Sequence, residues 1–121
     1  MPLKGIQTYQ TNAVTTQSGG KIIVMLYEGA IRFLHQAIAA LEKKDYIEKG
    51  RLINRTLDIL MELDAVLNMD AGGEVAQNLR KLYRFMGVHL VQANVKKDPD
   101  KIRQVIHLLE NLLEGWRQIA A

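Results

Sequence analysis

Cysteine is absent from the 121 residues. Its absence excludes disulfides, a thiolate nucleophile and zinc sites built on Cys. Aromatic residues make up 6%, with one Trp and two Phe. That is too few to interleave a basic face with stacking platforms, so no nucleic acid is expected as a partner. The charge is also mild, +3 from 16 basic and 13 acidic residues. Lys43-Lys44 and Lys96-Lys97 fall where helices are expected to end, and cations there favour the negative pole of the helix dipole. Arg80-Lys81 with Arg84 reads as solvated charge. Serine occurs once, at position 18, where a helix cap accounts for it. No Ser-His-Asp nucleophile is therefore expected.

Metal chemistry is equally bare. No Glu-x-x-His precedes His35, His89 or His107, whereas a di-metal bundle site needs two such pairs. His107 and Glu110 form a lone His-x-x-Glu pair. Gly19-Gly20-Lys21 lacks the first glycine of a phosphate loop and follows no strand. The expectation is a protein without cofactor or metal that is not an enzyme. No apolar run nears the ~18 residues of a membrane span, and the N-terminal stretch lacks the apolar core of a signal peptide. A cytoplasmic protein without membrane insertion is expected.

What the chain does contain is helical periodicity, and no alternating runs that would read as strands. Gly20 to Leu41 places Ile23, Leu26, Tyr27, Ala30, Leu34, Ala37 and Leu41 on one stripe. Two further rows flank it. Val24, Ile31 and Ile38 form one shoulder, and Ile22, Met25, Gly29 and Phe33 form the other. That arc exceeds the ~100° that a surface helix needs. A second helix is expected from a cap at Asp45 to about Leu67 or Asn68. Its rows are Ile53, Leu57, Leu60, Leu67 and Leu52, Ile59, Leu63, Val66. A third is expected from Glu74 to about Val95, with Val75, Leu79, Leu82, Tyr83, Met86, Leu90 and Ala93 inward. Val88, Val91 and Val95 fall on its opposite side. Asp98-Pro99 sets a cap and a first-turn proline. The fourth helix carries Ile102, Val105, Ile106, Leu109, Leu112, Leu113, Trp116 and Ala120 inward. Trp116 is expected to close one end of the core. Four helices joined by short connections predict an all-α fold, an antiparallel up-down-up-down four-helix bundle. The bundle is expected over 18–121, behind a flexible N-terminal segment at 1–17. Gly29, Gly50, Gly87 and Gly115 interrupt helices at a cost, so close approach of a neighbouring or partner helix is expected there.

Several segments together give a resemblance. Ile6-Gln-Thr-Tyr9, Val14-Thr-Thr and Met25-Leu-Tyr-Glu-Gly-Ala-Ile-Arg-Phe33 are followed by Gly72-Gly-Glu-Val-Ala-Gln-Asn-Leu79. Then come Leu82-Tyr83, Met86, Gln92-Ala-Asn94 and Trp116. In this order they resemble the flagellar secretion chaperone of flagellin over nearly the whole chain. The resemblance implies a non-enzymatic export chaperone built as an antiparallel four-helix bundle. Its implied client is the C-terminal segment of flagellin, disordered when free, which it keeps from premature polymerisation and delivers to the type III export apparatus. It implies contact with export-gate components when loaded. It also implies that Ile6 and Tyr9 belong to a mobile segment that covers the binding groove or touches the client. The family's usual Ser-Pro start is replaced here by Ser18-Gly19-Gly20-Lys21, a looser junction.

The expected protein-binding residues are therefore Ile6, Tyr9, Ile22, Met25, Gly29, Phe33, Val88, Val91 and Val95. Which shoulder of the first helix stays open, Val24–Ile31–Ile38 or Ile22–Met25–Phe33, is not decided by periodicity. A self-associating bundle adaptor, without a flagellin client, is the alternative reading of the same surplus apolar surface. As a chaperone the chain is expected to be a monomer or a weak homodimer.

Overall fold

The computed structural model describes residues 20–120, without the side chains of 119 and 120. The expected segment at 1–17, its Ile6 and Tyr9, the Ser18 cap and the Ala120 side chain lie outside the described residues. Four helices run in sequence: α1 (Gly20–Glu42), α2 (Tyr46–Ala65), α3 (Gly73–Lys96) and α4 (Pro99–Ala120). Each packs on its sequence neighbours, and α1 also packs on α4. This closes the antiparallel four-helix bundle, with no strand among the described residues.

The helix ends follow from local chemistry. Asp45 Oδ1 accepts the Glu48 N–H at 3.2 Å, half of a capping box. The other half is missing because the Asp45 N–H is already donated to the Ala40 carbonyl and Glu48 pairs with Arg51. Asp98 Oδ1 accepts from the Asp100 N–H at 3.0 Å, so Pro99 sits at the first helical position as expected. Lys44 and Lys97 close α1 and α3 with φ of 60° and 54°. Both occupy the left-handed site that helix ends commonly give to glycine.

Tyr27, Ala30, Leu34 and Ala37 of α1 meet Ile53, Met86, Leu90, Ile102 and Leu109 in a sealed core. α1 is long and apolar enough to cross a membrane by length and composition, with mean hydropathy 1.3 over an 18-residue window. That corrects the reading that no stretch approached this threshold. Its core stripe is nevertheless spent on the bundle.

The expected stripes hold with exceptions. Leu26, Leu41, Leu57, Leu82 and Leu112 are only half-buried. Val75, expected in the core, is exposed, whereas Ala76 beside it in the same first turn is fully buried; the core meets this end of α3 at Ala76 and Leu79, and Val75 falls to one side of that line. The second helix stops at Ala65 rather than Leu67 or Asn68. Leu67 still turns inward.

The helical glycines correct a second expectation. A Cβ at Gly29 would meet Ile59 Cδ1 at 3.7 Å, at Gly50 Asn94 Oδ1 at 3.8 Å, and at Gly87 Leu57 Cδ2 at 3.9 Å. These are ordinary contacts, so no helix approaches closely enough to require glycine. Gly115 faces open space. Gly115→Ala should therefore raise stability by about 0.5–1 kcal/mol, since it removes only backbone freedom of the unfolded chain. Thermal unfolding checks this, and an unchanged or lowered midpoint would contradict it.

Candidate functional site

Two polar clasps hold α2 against α3. At one end Lys49 Nζ donates to the Asn94 carbonyl at 2.9 Å and to Asn94 Oδ1 at 2.5 Å. Asn94 lies in the last turn of α3, where carbonyls lack helical donors and the dipole favours a cation. Lys49 is buried. That burial, and then the Lys97 charge, hold its ammonium pKa below the ordinary lysine range. At the other end Arg80 Nε donates to Asp64 Oδ1 at 2.9 Å.

Between the clasps Leu57 of α2 faces Gly87 of α3. Gly87 has no side chain to set against Leu57, and a depression of about 200 Å³ opens there. Leu60 and Met61 of α2, and Tyr83 and Arg84 of α3, complete its walls. The apolar surface continues outward. Met61 is 71% exposed, and Val88, Val91 and Val95 are all at least half exposed. Ile47, 89% exposed, stands at the start of α2, the same end as Asn94 and Val95. Met61 stands at the lip of the depression on α2, and on α3 the valine row continues the stripe that begins at Arg84. Exposed apolar residues scattered singly need no explanation, but an aligned row beside a depression does. Such a groove accepts the apolar face of a helix.

The structure places the sequence-predicted residues in two separate patches. Val88, Val91 and Val95 are exposed on α3, in line with Arg84 of the depression wall. Ile22 and Met25 are exposed at the start of α1, on the seam towards α2. Gly29 on that seam is buried against Ile59 and offers no surface. Phe33 is half-buried, with the Arg32 guanidinium 6.0 Å from its ring centre. On the other shoulder Ile38 is buried, and Val24 and Ile31 are packed against the core. Ile22 and Met25 are the exposed members of the two shoulders, while Ile31 lines a depression between α1 and α4.

Sequence reading missed Ile47, Met61 and Phe85. Ile47 and Met61 lie fourteen residues apart, close to four helical turns, and off the main α2 stripe. That repeat was the available signal. Phe85 stacks on His89 at 5.2 Å, on the opposite flank of α3. The His89 ring nitrogen Nε2 bonds Gln104 Oε1 at 2.6 Å.

Beneath the groove lies a polar chain of three aromatic residues. The Tyr27 and Tyr83 hydroxyls are 2.6 Å apart, and Trp116 Nε1 donates to the Tyr27 oxygen at 3.1 Å. Trp116 is buried and closes the core end as expected. No group of three or more His, Asp or Glu side chains that could hold a metal gathers among the described residues. The arrangement is one for holding apolar side chains.

A family model described as Flagellar protein FliS matches residues 3–121. The flagellar secretion chaperone FliS of Vibrio cholerae is 37% identical over 118 residues, covering 94% of this chain and 87% of that protein. That of Salmonella typhimurium is 37% identical over 121 residues, covering 96% and 90%. That of Bacillus subtilis is 31% identical over 110 residues, covering 91% and 81%.

Proposed function

Because the chain belongs to the flagellar protein FliS family, a family of secretion chaperones and not of enzymes, we propose that its client is flagellin. It binds the C-terminal segment of flagellin in the cytoplasm, prevents premature polymerisation, and hands the subunit to export-gate components of the flagellar type III apparatus. The observation that carries this reading is the α2–α3 depression, flanked by exposed Met61 of α2 and by the exposed row Val88, Val91 and Val95 of α3. A segment that is disordered when free must be ordered on binding. That ordering costs several kcal/mol and needs broad apolar burial to offset it. Ile22 and Met25 give a second apolar contact at the bundle end where residues 1–19 join α1. Ile6 and Tyr9 of that segment are proposed to share the client surface.

Titration of the isotope-labelled protein with a flagellin C-terminal peptide tests the reading. The expected result is binding at micromolar concentration or tighter, with the largest shifts at Met61, Gly87, Val88 and Val91. No binding in that range, or shifts confined to the α4 surface, would overturn it. The solution mass measured alongside separates the alternative. A stable dimer that the peptide does not dissociate favours the self-associating adaptor.

A further inference from the structure

The charge of the molecule is unevenly placed. α3 carries Arg80, Lys81, Arg84 and Lys96 against the single acid Glu74. This surplus of three equals the net charge of the whole chain. Most cations near the α2–α3 groove are engaged. Arg80 is paired with Asp64, and Lys49 is bound to Asn94. Lys97 lies 4.0 Å from the Tyr46 ring centre. The depression itself has two charged lining residues, Asp64 and Arg84. Asp64 is satisfied by Arg80. Among the described residues no ion pair reaches Arg84.

Arg84 also lies in register with the valines. Arg84, Val88, Val91 and Val95 follow one another at steps of four, three and four residues, so they share one stripe. The stripe is roughly 16 Å long at the helical rise. A helix laid along it meets a cation first, then three apolar contacts within two turns. The groove is concave between two helices, which suits a rod and not a flat lipid surface.

The geometry points to Arg84 as a specificity determinant: the groove selects an amphipathic helical segment that carries a carboxylate one turn beyond its apolar stripe. This rests on the reading of the groove as the client surface. It adds which helices that surface prefers. An Arg guanidinium pairs a carboxylate with two parallel hydrogen bonds. The partly apolar wall strengthens the pair relative to open water, and the same cation rejects a segment with a basic residue in that place.

Three synthetic peptides test it. They share one apolar stripe at three- and four-residue steps and differ only in carrying Glu, Gln or Lys one turn from it. Affinities are measured by anisotropy against the full chain and its Arg84→Gln variant, with the flagellin C-terminal peptide run in parallel. The Glu peptide should bind about five- to tenfold more tightly than the Gln peptide, with Lys weakest. Arg84→Gln should bring the Glu-to-Gln ratio close to one. A ratio that survives Arg84→Gln, or no preference in the parent protein, overturns the inference even where the flagellin peptide binds. An Arg84-dependent preference for Glu without flagellin binding upholds it and overturns the flagellin reading instead. A stable dimer that none of the peptides displaces gives the groove to a second copy of the chain and overturns both.

Discussion

Val91→Glu lowers affinity for the flagellin C-terminal peptide by at least about 100-fold while leaving the bundle folded. Val91 sits midway along the outward row of α3 and is half exposed, so its side chain supports the groove and not the core. A client helix seated there would cover it. Covering a carboxylate with apolar groups costs several kcal/mol when nothing pairs with it, and 100-fold corresponds to about 2.7 kcal/mol. Glu is at least as good a helix former as Val. The free protein should therefore lose no more than ~0.5 kcal/mol, as is usual for a surface change. Calorimetric titration reads the first quantity, and denaturant unfolding reads the second. If the variant unfolds instead, Val91 is part of the core. If it folds and binds normally, the groove is not the client surface.

The same row shows how much was legible from composition and period. The valines at 88, 91 and 95 oppose the Leu79–Met86–Leu90 stripe, and that opposition needs only the helical repeat. The caps at Asp45 and Asp98 were legible because each is a short-range interaction between a side chain and the next turn. The choice between the shoulders of α1 was not legible. It depends on which neighbour lies closer, and α4 covers Val24, Ile31 and Ile38 while the start of the α2 seam leaves Ile22 and Met25 open. Val75 sits at the edge of the inward phase of α3, and at the helix start Ala76 fills the core place instead. Phase fixes the centre of a stripe better than its edges. Lys49 shows the converse. It lies on an apolar face of α2, and its burial depends on the end of α3 arriving opposite with an unsatisfied carbonyl. The groove itself is a tertiary fact, since the depression beside Met61 exists only once α3 lies along α2.

The polar chain beneath the groove predicts an ordered set of stability losses, because its three members are not equivalent. Tyr27 is central: its oxygen accepts the Trp116 N–H, and its hydroxyl is hydrogen-bonded to that of Tyr83. Tyr27→Phe leaves two buried polar groups without partners and should cost about 3 kcal/mol. Tyr83→Phe leaves the Tyr27 hydroxyl still bonded to Trp116 and should cost about 1 kcal/mol. Equal losses in denaturant unfolding would mean that the chain is not organised around Tyr27.

Alkaline titration gives an independent reading of the same network. Burial pushes the Tyr27 hydroxyl up to about 12, against the opposing hydrogen bonds from Tyr83 and Trp116. Burial, and then the neighbouring Tyr27, push Tyr83 up as well. In the unfolded chain both ionise near 10, so the unfolded state releases protons that the folded state retains. The stability due to these groups is therefore complete below pH 10 and lost as pH rises from 10 through 12. At two pH units the loss from Tyr27 alone approaches roughly 2.7 kcal/mol. Lys49, held below its ordinary value, acts with the opposite sign. It favours folding as pH rises towards 10.5, so its contribution is finished before most of the tyrosine loss begins. The unfolding free energy should hold to about pH 10 and then fall. Tyr27→Phe, less stable at neutral pH, should show a shallower fall. A slope unchanged by that substitution would mean that the alkaline loss arises elsewhere.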